Sequence, residues 1–298
     1  MKSPSMKTFA FALALLTLLT RMPALAQTQQ AEAWEIIRVN INEKDTEKRA
    51  VAIRVLGLLP GDPKALQLAT KAVTDEKGDV RAAAAIALGQ LHSRSSIPHL
   101  HMMLSDDEPS VVIAAATALM TWKDPYAYDV YYEILTGERK AGNGLIASQM
   151  KTLKDKKKMA ELGIEEGIGF IPFAGIGVTA FKALRVDDVS PVRAAAAKML
   201  ATDTDPDSGK ALVQATSDKN WIVKTAALEA IAKRGDPALL EGTLPAMKDD
   251  NTSVRCTAAA AVIRLSTVAG KKPAPATLAP AAPSTVTPST TPPSTNTK

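Results

Sequence analysis

Five stretches of this sequence repeat one another. They are DVRAAAAIALGQL from Asp79, SVVIAAATALMTW from Ser110, PVRAAAAKMLATD from Pro191, IVKTAALEAIAKR from Ile222 and SVRCTAAAAVIRL from Ser253. Their aligned valines, Val80, Val111, Val192, Val223 and Val254, are spaced by 31, 81, 31 and 31 residues. A sixth copy, KRAVAIRVLGLL from Lys48, stands one residue off that register. A fixed period of this size constrains the fold more than any other feature. Each copy is one supersecondary unit that cannot bury its own apolar face, so neighbouring copies must stack.

Each copy reads as a helix. In the first, Val80, Ala84, Ala87, Leu88 and Leu91 recur at helical spacing on one face. A second helix per unit opens with Asp-Pro at Asp62-Pro63, Asp124-Pro125, Asp205-Pro206 and Asp236-Pro237. Asp accepts the free N–H groups of a first turn, and Pro suits the first helical position. The expected fold is therefore all-α, a solenoid of six or seven helix pairs, each pair a helix A followed by a helix B. A second register runs through the same units. Asp75, Asp106, Asp187, Asp218 and Asp249 lie five residues before the aligned valines, and Arg81, Val112, Arg193, Lys224 and Arg255 follow six residues after each Asp. Asp75, Arg81, Asp187, Arg193, Asp218, Lys224, Asp249 and Arg255 are expected to form a structural ladder between stacked repeats, an acid in the turn with a base on the next helix, that satisfies the turns and fixes the stagger. The competing reading is a charged binding strip.

These pairs, with the core V-[RKV]-x-x-A-[AL]-x-[AM]-[LIV], resemble the HEAT repeat family in its short, phycobilisome-lyase-like form, over roughly 32–135 and 185–267. The resemblance implies a helical solenoid and carries little about function. Some members of such families are bilin lyases, and others are di-iron hydroxylases with the metal on repeated His-Glu pairs. Here His92, His99 and His101 are followed by Ser93, Leu100 and Met102, so the iron motif does not carry over. No bilin-site motif carries over either.

The two ends differ from the middle. Residues 1–26 hold Lys2, Lys7 and Arg21 with no acid, then an apolar stretch from Phe9 to Thr20, then Ala24-Leu25-Ala26. That is the pattern of a secretory signal cleaved after Ala26, with a core too short for a transmembrane span. The expected location is periplasmic or extracellular. Residues 269–298 read as a disordered Pro/Thr-rich tail, an extended spacer. The net charge of +5 resides in these ends: with the basic residues before Gln27 and after Gly270 set aside, residues 27–270 carry −1. Nucleic acid is not an expected partner. The organisation read from the sequence is thus 1–26 signal, 27–140 N-terminal repeats, 141–184 diverged unit and glycine-rich apolar insertion, 185–268 C-terminal repeats, and tail.

The insertion runs through GIEEGIGFIPFAGIGVTAFKAL, from Gly163 to Leu184. Its leading reading is packing on the solenoid over the seam between the two repeat blocks. A membrane-touching element is the second reading: Phe170, Ile171, Pro172 and Phe173 supply apolar bulk, and Lys154 and Lys157 stand among the lysines of the preceding segment. The same residues serve a protein-docking patch in a third. Gly175-Ile176-Gly177-Val178-Thr179-Ala180 matches G-x-G-x-x-A, but no strand-helix-strand unit surrounds it.

The remaining candidates are bland. His99 and His101 point apart on a helix and do not chelate one ion. Cys256, the only cysteine, stands where the other copies have Ala82, Ile113, Ala194 and Thr225 and reads as a small buried residue. Trp122, Tyr126, Tyr128, Tyr131 and Tyr132 form an aromatic cluster, read as buried packing under the insertion, with a peptide- or glycan-binding patch as the alternative. No catalytic constellation, metal set or cofactor is expected. The expected function is an exported, non-enzymatic scaffold that binds a protein partner on its concave face, where the B helices expose Arg54, Lys198, Glu229, Lys233 and Arg264. The alternative is a membrane-associated envelope protein using residues 145–184; a lyase or hydroxylase rests on family analogy alone. Oligomeric state is not legible.

Overall fold

The computed structural model describes residues 27–136 and 189–271. The signal sequence, the 141–184 insertion and the tail beyond Lys271 lie outside the described residues. Every element among those described is helical. The first helix, α1, covers residues 27–41. It is followed by α2 (Thr46–Arg54), which runs on into a 3-10 turn at Val55–Leu58. Next come α3 (Pro63–Lys71), α4 (Gly78–Leu91), α5 (Ile97–Met103), α6 (Pro109–Met120) and α7 (Pro125–Thr136). The C-terminal block holds α8 (Ser190–Met199), α9 (Pro206–Ala215), α10 (Trp221–Arg234), a short α11 (Leu240–Thr243) flanked by 3-10 turns, and α12 (Thr252–Lys271).

The A helices start where the Asp-Pro pairs stand. Asp62 accepts from the N–H groups of Lys64 at 2.9 Å and Ala65 at 3.0 Å, and Asp205, Asp236 and Asp124 cap the following helices or 3-10 turn in the same way. Three of the B helices, α4, α6 and α10, are followed by a shared device. His92, Lys123 and Gly235, each twelve residues after an aligned valine, take the left-handed conformation at φ 51°, 54° and 63°. That conformation turns the chain sharply toward the next A helix.

The B helices inside the row are buried almost all round, whereas α8 leaves Val192 and Met199 exposed. In α4, Ala82, Ala83, Ala85 and Gly89 are buried as well as the one face that periodicity marks. A helix apolar on every side belongs between layers, and small side chains let the next helix come close. A Cβ added to Gly89 would stand 2.7 Å from the Cβ of Ala118, so α4 and α6 meet nearly backbone to backbone there. The A helices α3, α5, α7 and α9 pack on this layer, against α4, α6, α6 and α10.

The order of the B helices in space is not their order in the chain. α8 packs on α10 and α10 on α12; α12 packs on α2, α2 on α4 and α4 on α6. The last repeat therefore abuts the first. Gln30 of α1 donates from Nε2 to Thr267 Oγ1 of α12 at 3.2 Å across that joint. Thr136 and Val189, which flank the central segment of the chain, belong to opposite ends of the row. α12 is accordingly the most enclosed helix: Val254, Cys256 and every residue from Ala258 to Ile263 are fully buried. It also runs to Lys271, three residues past the boundary read from the sequence. Gly270 is tolerated near a helix end, and the first residue that cannot continue the helix is Pro273.

Candidate functional site

The repeated carboxylates and bases bond from unit to unit: Arg81, Arg193 and Lys224 each reach the acid of the next one. Arg81 donates from Nε and Nη2 to the two carboxylate oxygens of Asp106, both at 2.7 Å, and from Nη1 to the backbone carbonyl of Asp75 at 2.9 Å. Asp106 in turn accepts from the N–H of Glu108 at 2.9 Å. Asp106 thus anchors its own turn and receives the neighbour. The bond to Asp106 raises the Arg81 pKa above its ordinary value, against a smaller opposing effect of burial. In the C-terminal block Arg193 bonds Asp218, and Lys224 Nζ donates to Asp249 at 2.6 Å. Burial works against the charge of Asp249, but the Lys224 bond, the Asn251 N–H and the nearby cations Lys224 and Arg255 outweigh it and lower its pKa.

One rung escaped the sequence reading. Arg49 Nη2 donates to Asp75 at 3.1 Å, while its Nη1 takes the carbonyls of Glu43 and Lys44. The copy at Lys48 is one residue off register, so Arg49 was not aligned with Arg81 although it does the same work. Arg255 differs from the others. It donates to the carbonyls of Asp249 and Asp250, both at 2.7 Å, and to Thr252 Oγ1 at 3.2 Å. Among the described residues it has no carboxylate acceptor. Asp187 lies outside the described residues, as do Lys154, Lys157, Phe170, Ile171, Pro172 and Phe173.

The charged candidates of the B face stand at matching heights. Arg54, Lys198 and Glu229 follow the aligned position by six residues, and Lys233 and Arg264 by ten. Arg54, Lys198 and Lys233 are exposed; Glu229 and Arg264 are half-buried. Arg264 Nε approaches Gly235, at 4.0 Å from where a Cβ would be, which carries the α12 cation to the end of α10. Because α12 packs on α2, Arg54 from one block and Arg264 from the other belong to adjacent helices, with Glu229 and Lys233 on α10 and Lys198 on α8 following along the row.

The remaining candidates separate. His101 Nε2 is 2.9 Å from Asp124 Oδ2, and its ring meets Tyr126 edge to face at 4.9 Å. His92 sits edge-on to Trp122 at 5.7 Å. The histidines thus join turns to helices. Among the described residues no group of three or more metal-ligating side chains comes together. The aromatic cluster does not bury as a unit. α7 turns Ala127, Val130 and Tyr131 inward, with Tyr131 Oη on Thr117 at 2.6 Å, and leaves Tyr126, Tyr128 and Tyr132 exposed. Cys256 is fully buried, and burial pushes its thiol up to about 11, so it holds almost no thiolate at neutral pH. No helix among the described residues is long and apolar enough to cross a membrane.

Sequence reasoning gave no hint of one further feature. Gln27, Gln30, Trp34, Glu35 and Arg38 of α1, with Lys64 of α3, line a cleft of about 450 Å³. Lys64 Nζ lies 4.1 Å above the Trp34 ring, and Arg38 Nε donates to Glu35 at 2.7 Å. The signal was present as a stripe at helical spacing on α1, but its partner on α3 depends on tertiary packing.

Comparison with known proteins bears on the fold. Residues 36–121 and 179–264 match the profile of HEAT repeats. Human deoxyhypusine hydroxylase in complex with glycerol is similar in structure, with a TM-score of 0.35 and 17% identity over 82% of this chain and 99% of that one. The complex of CpcE and CpcF of phycocyanin lyase from Nostoc gives a TM-score of 0.30 and 20% identity over 76% and 93%. A designed armadillo repeat protein gives 0.24 and 14% over 78% and 98%. No curated protein matches the sequence.

Proposed function

The chain belongs to the HEAT repeat family, and from that premise we propose that it is an exported, non-enzymatic scaffold that holds a protein partner on the concave face of its B helices. One observation carries this reading. The contact of α12 with α2 makes α8, α10, α12 and α2 consecutive members of one row, and Lys198, Glu229, Lys233, Arg264 and Arg54 stand on them at two matching heights. A partner laid across that row crosses helices from both blocks at once. Solenoids recognise extended surfaces in this way. The charges set register and the rate of encounter, and the apolar contacts between them supply affinity.

The leader of residues 1–26 directs the chain out of the cytoplasm, and cleavage after Ala26 leaves Gln27 as the first residue. The partner is therefore met in the periplasm or outside the cell. Crosslinking a tagged mature chain in cells, followed by identification of what co-purifies, tests the reading. A single near-stoichiometric protein supports it. The purified pair should then weaken at least tenfold when Lys198, Lys233 and Arg264 are reversed to Glu together. Unchanged affinity overturns the assignment of that face, and recovery of envelope lipid with no dominant protein overturns the scaffold.

A further inference from the structure

We propose that the cleft around Trp34 is the seat of the chain's own proline-rich tail, which enters it within the first residues after Lys272. This surface lies on α1 and α3, apart from the charged B-helix face, and the inference does not rest on the scaffold reading.

The chemistry of the cleft suits such a segment. Its lining includes the Trp34 indole, with Lys64 Nζ 4.1 Å from the ring centroid over one face. Two of its rim ions, Glu35 and Arg38, neutralise each other. What is left to an incoming chain is the indole edge, the Lys64 cation as a donor and the side-chain amide of Gln27. Gln30 already donates from its amide across the joint. A proline-rich strand offers the complement. It is pre-extended, presents carbonyl acceptors with few donors, and packs its rings on aromatic surface, which is how aromatic-lined grooves take such segments.

Position supports the same occupant. Gln30 both lines the cleft and bonds Thr267 of α12 at 3.2 Å. α12 ends at Lys271, one helical turn later, or about 6 Å along the axis. The chain then continues Lys272-Pro273-Ala274-Pro275. At about 3.1 Å per residue in an extended proline-rich conformation, a few residues span a cleft of this size. A tether that short holds the segment at a millimolar effective concentration, so weak intrinsic affinity suffices to fill the site.

The test reads the environment of Trp34 in the mature chain, residues 27–298, with Trp122→Phe and Trp221→Phe leaving Trp34 as the sole indole. Replacing Pro273 and Pro275 by Ser should raise its acrylamide quenching constant at least twofold. A synthetic peptide of residues 272–298, added in excess, should reverse the change. Equal quenching in the two chains overturns the proposal. Protection that disappears on dilution through the micromolar range also overturns it, because the occupant is then the tail of a second copy. A second measurement covers misfolding of the tryptophan variants. In the otherwise native chain, the Pro273 and Pro275 NMR resonances should shift and sharpen in Trp34→Ala, and identical resonances overturn the proposal.

Discussion

Two kinds of seam hold the B layer together. At four of them a base of one helix grips the acid that anchors the next turn: Arg49 on Asp75, Arg81 on Asp106, Arg193 on Asp218 and Lys224 on Asp249. At the fifth, where α12 meets α2, the base is present but the rung is not. Arg255 folds back onto its own turn, and the residue equivalent to the missing acid, Glu43, gives its backbone carbonyl to Arg49. Between small-residue surfaces that slide easily, a charged rung fixes stagger. At the joint, large apolar side chains do so instead, since Leu56 from the turn after α2 and Ile263 from α12 are fully buried. The same short motif thus does different work according to which helix lies alongside.

The contrast can be broken most sharply at the joint. Leu56→Ala, in the 3-10 turn that packs on α12 and α4, should cost about 2–5 kcal/mol in urea unfolding. A loss below about 1 kcal/mol would mean that the joint does not depend on apolar packing. The laddered seams come next. Arg81→Ala strips a carboxylate that is only 12% exposed of its bidentate partner and should cost about 1–3 kcal/mol. Arg193→Ala, where the guanidinium is 47% exposed, should cost at most about 1 kcal/mol. Equal losses at the two sites would remove burial as the reason for the difference.

The Lys224–Asp249 rung should weaken with acid. The folded pKa of Asp249 is depressed, so its contribution is complete above the unfolded value of about 3.9 and disappears as pH falls through the lower folded value. Asp249→Asn should therefore flatten the acid limb of the stability curve below about pH 4, and an unaltered limb would contradict the assignment. The smallest effect is the most discriminating. A double-mutant cycle between Arg255 and Glu43 should give a coupling near zero, against about 1 kcal/mol or more between Arg81 and Asp106. Comparable couplings would erase the distinction between the two kinds of seam.

The period of the repeat made the helices legible, and the Asp-Pro pairs marked where the A helices begin, because caps act within a few residues. The acids and bases of the ladder were legible as residue types at fixed spacing. Which acid each base meets depends on the stacking: Arg81 gives its carboxylate bonds to Asp106 of the next unit and takes only the backbone carbonyl of Asp75. Arg49 was lost to a one-residue offset. The joint itself left no local trace. Similar repeats reveal that units stack, but not the order in which two runs stack when a dissimilar segment separates them. The Trp34 cleft was hidden for the same reason, as its one residue from outside α1, Lys64, comes from α3.

The bond from Gln30 to Thr267 joins residues 237 positions apart, in an architecture whose other seams join near neighbours. Local seams close as soon as two consecutive units exist; this one waits for the final helix. A ribosome adding 5–20 residues per second needs about 10–40 s to travel from α2 to α12, and for that interval the flank of the first repeat stands open. Damage at the far terminus is then felt at the near one. A frameshift or proteolytic nick within the last repeat uncovers the first, and chaperones or proteases that survey exposed apolar surface would find the lesion hundreds of residues from where it was made.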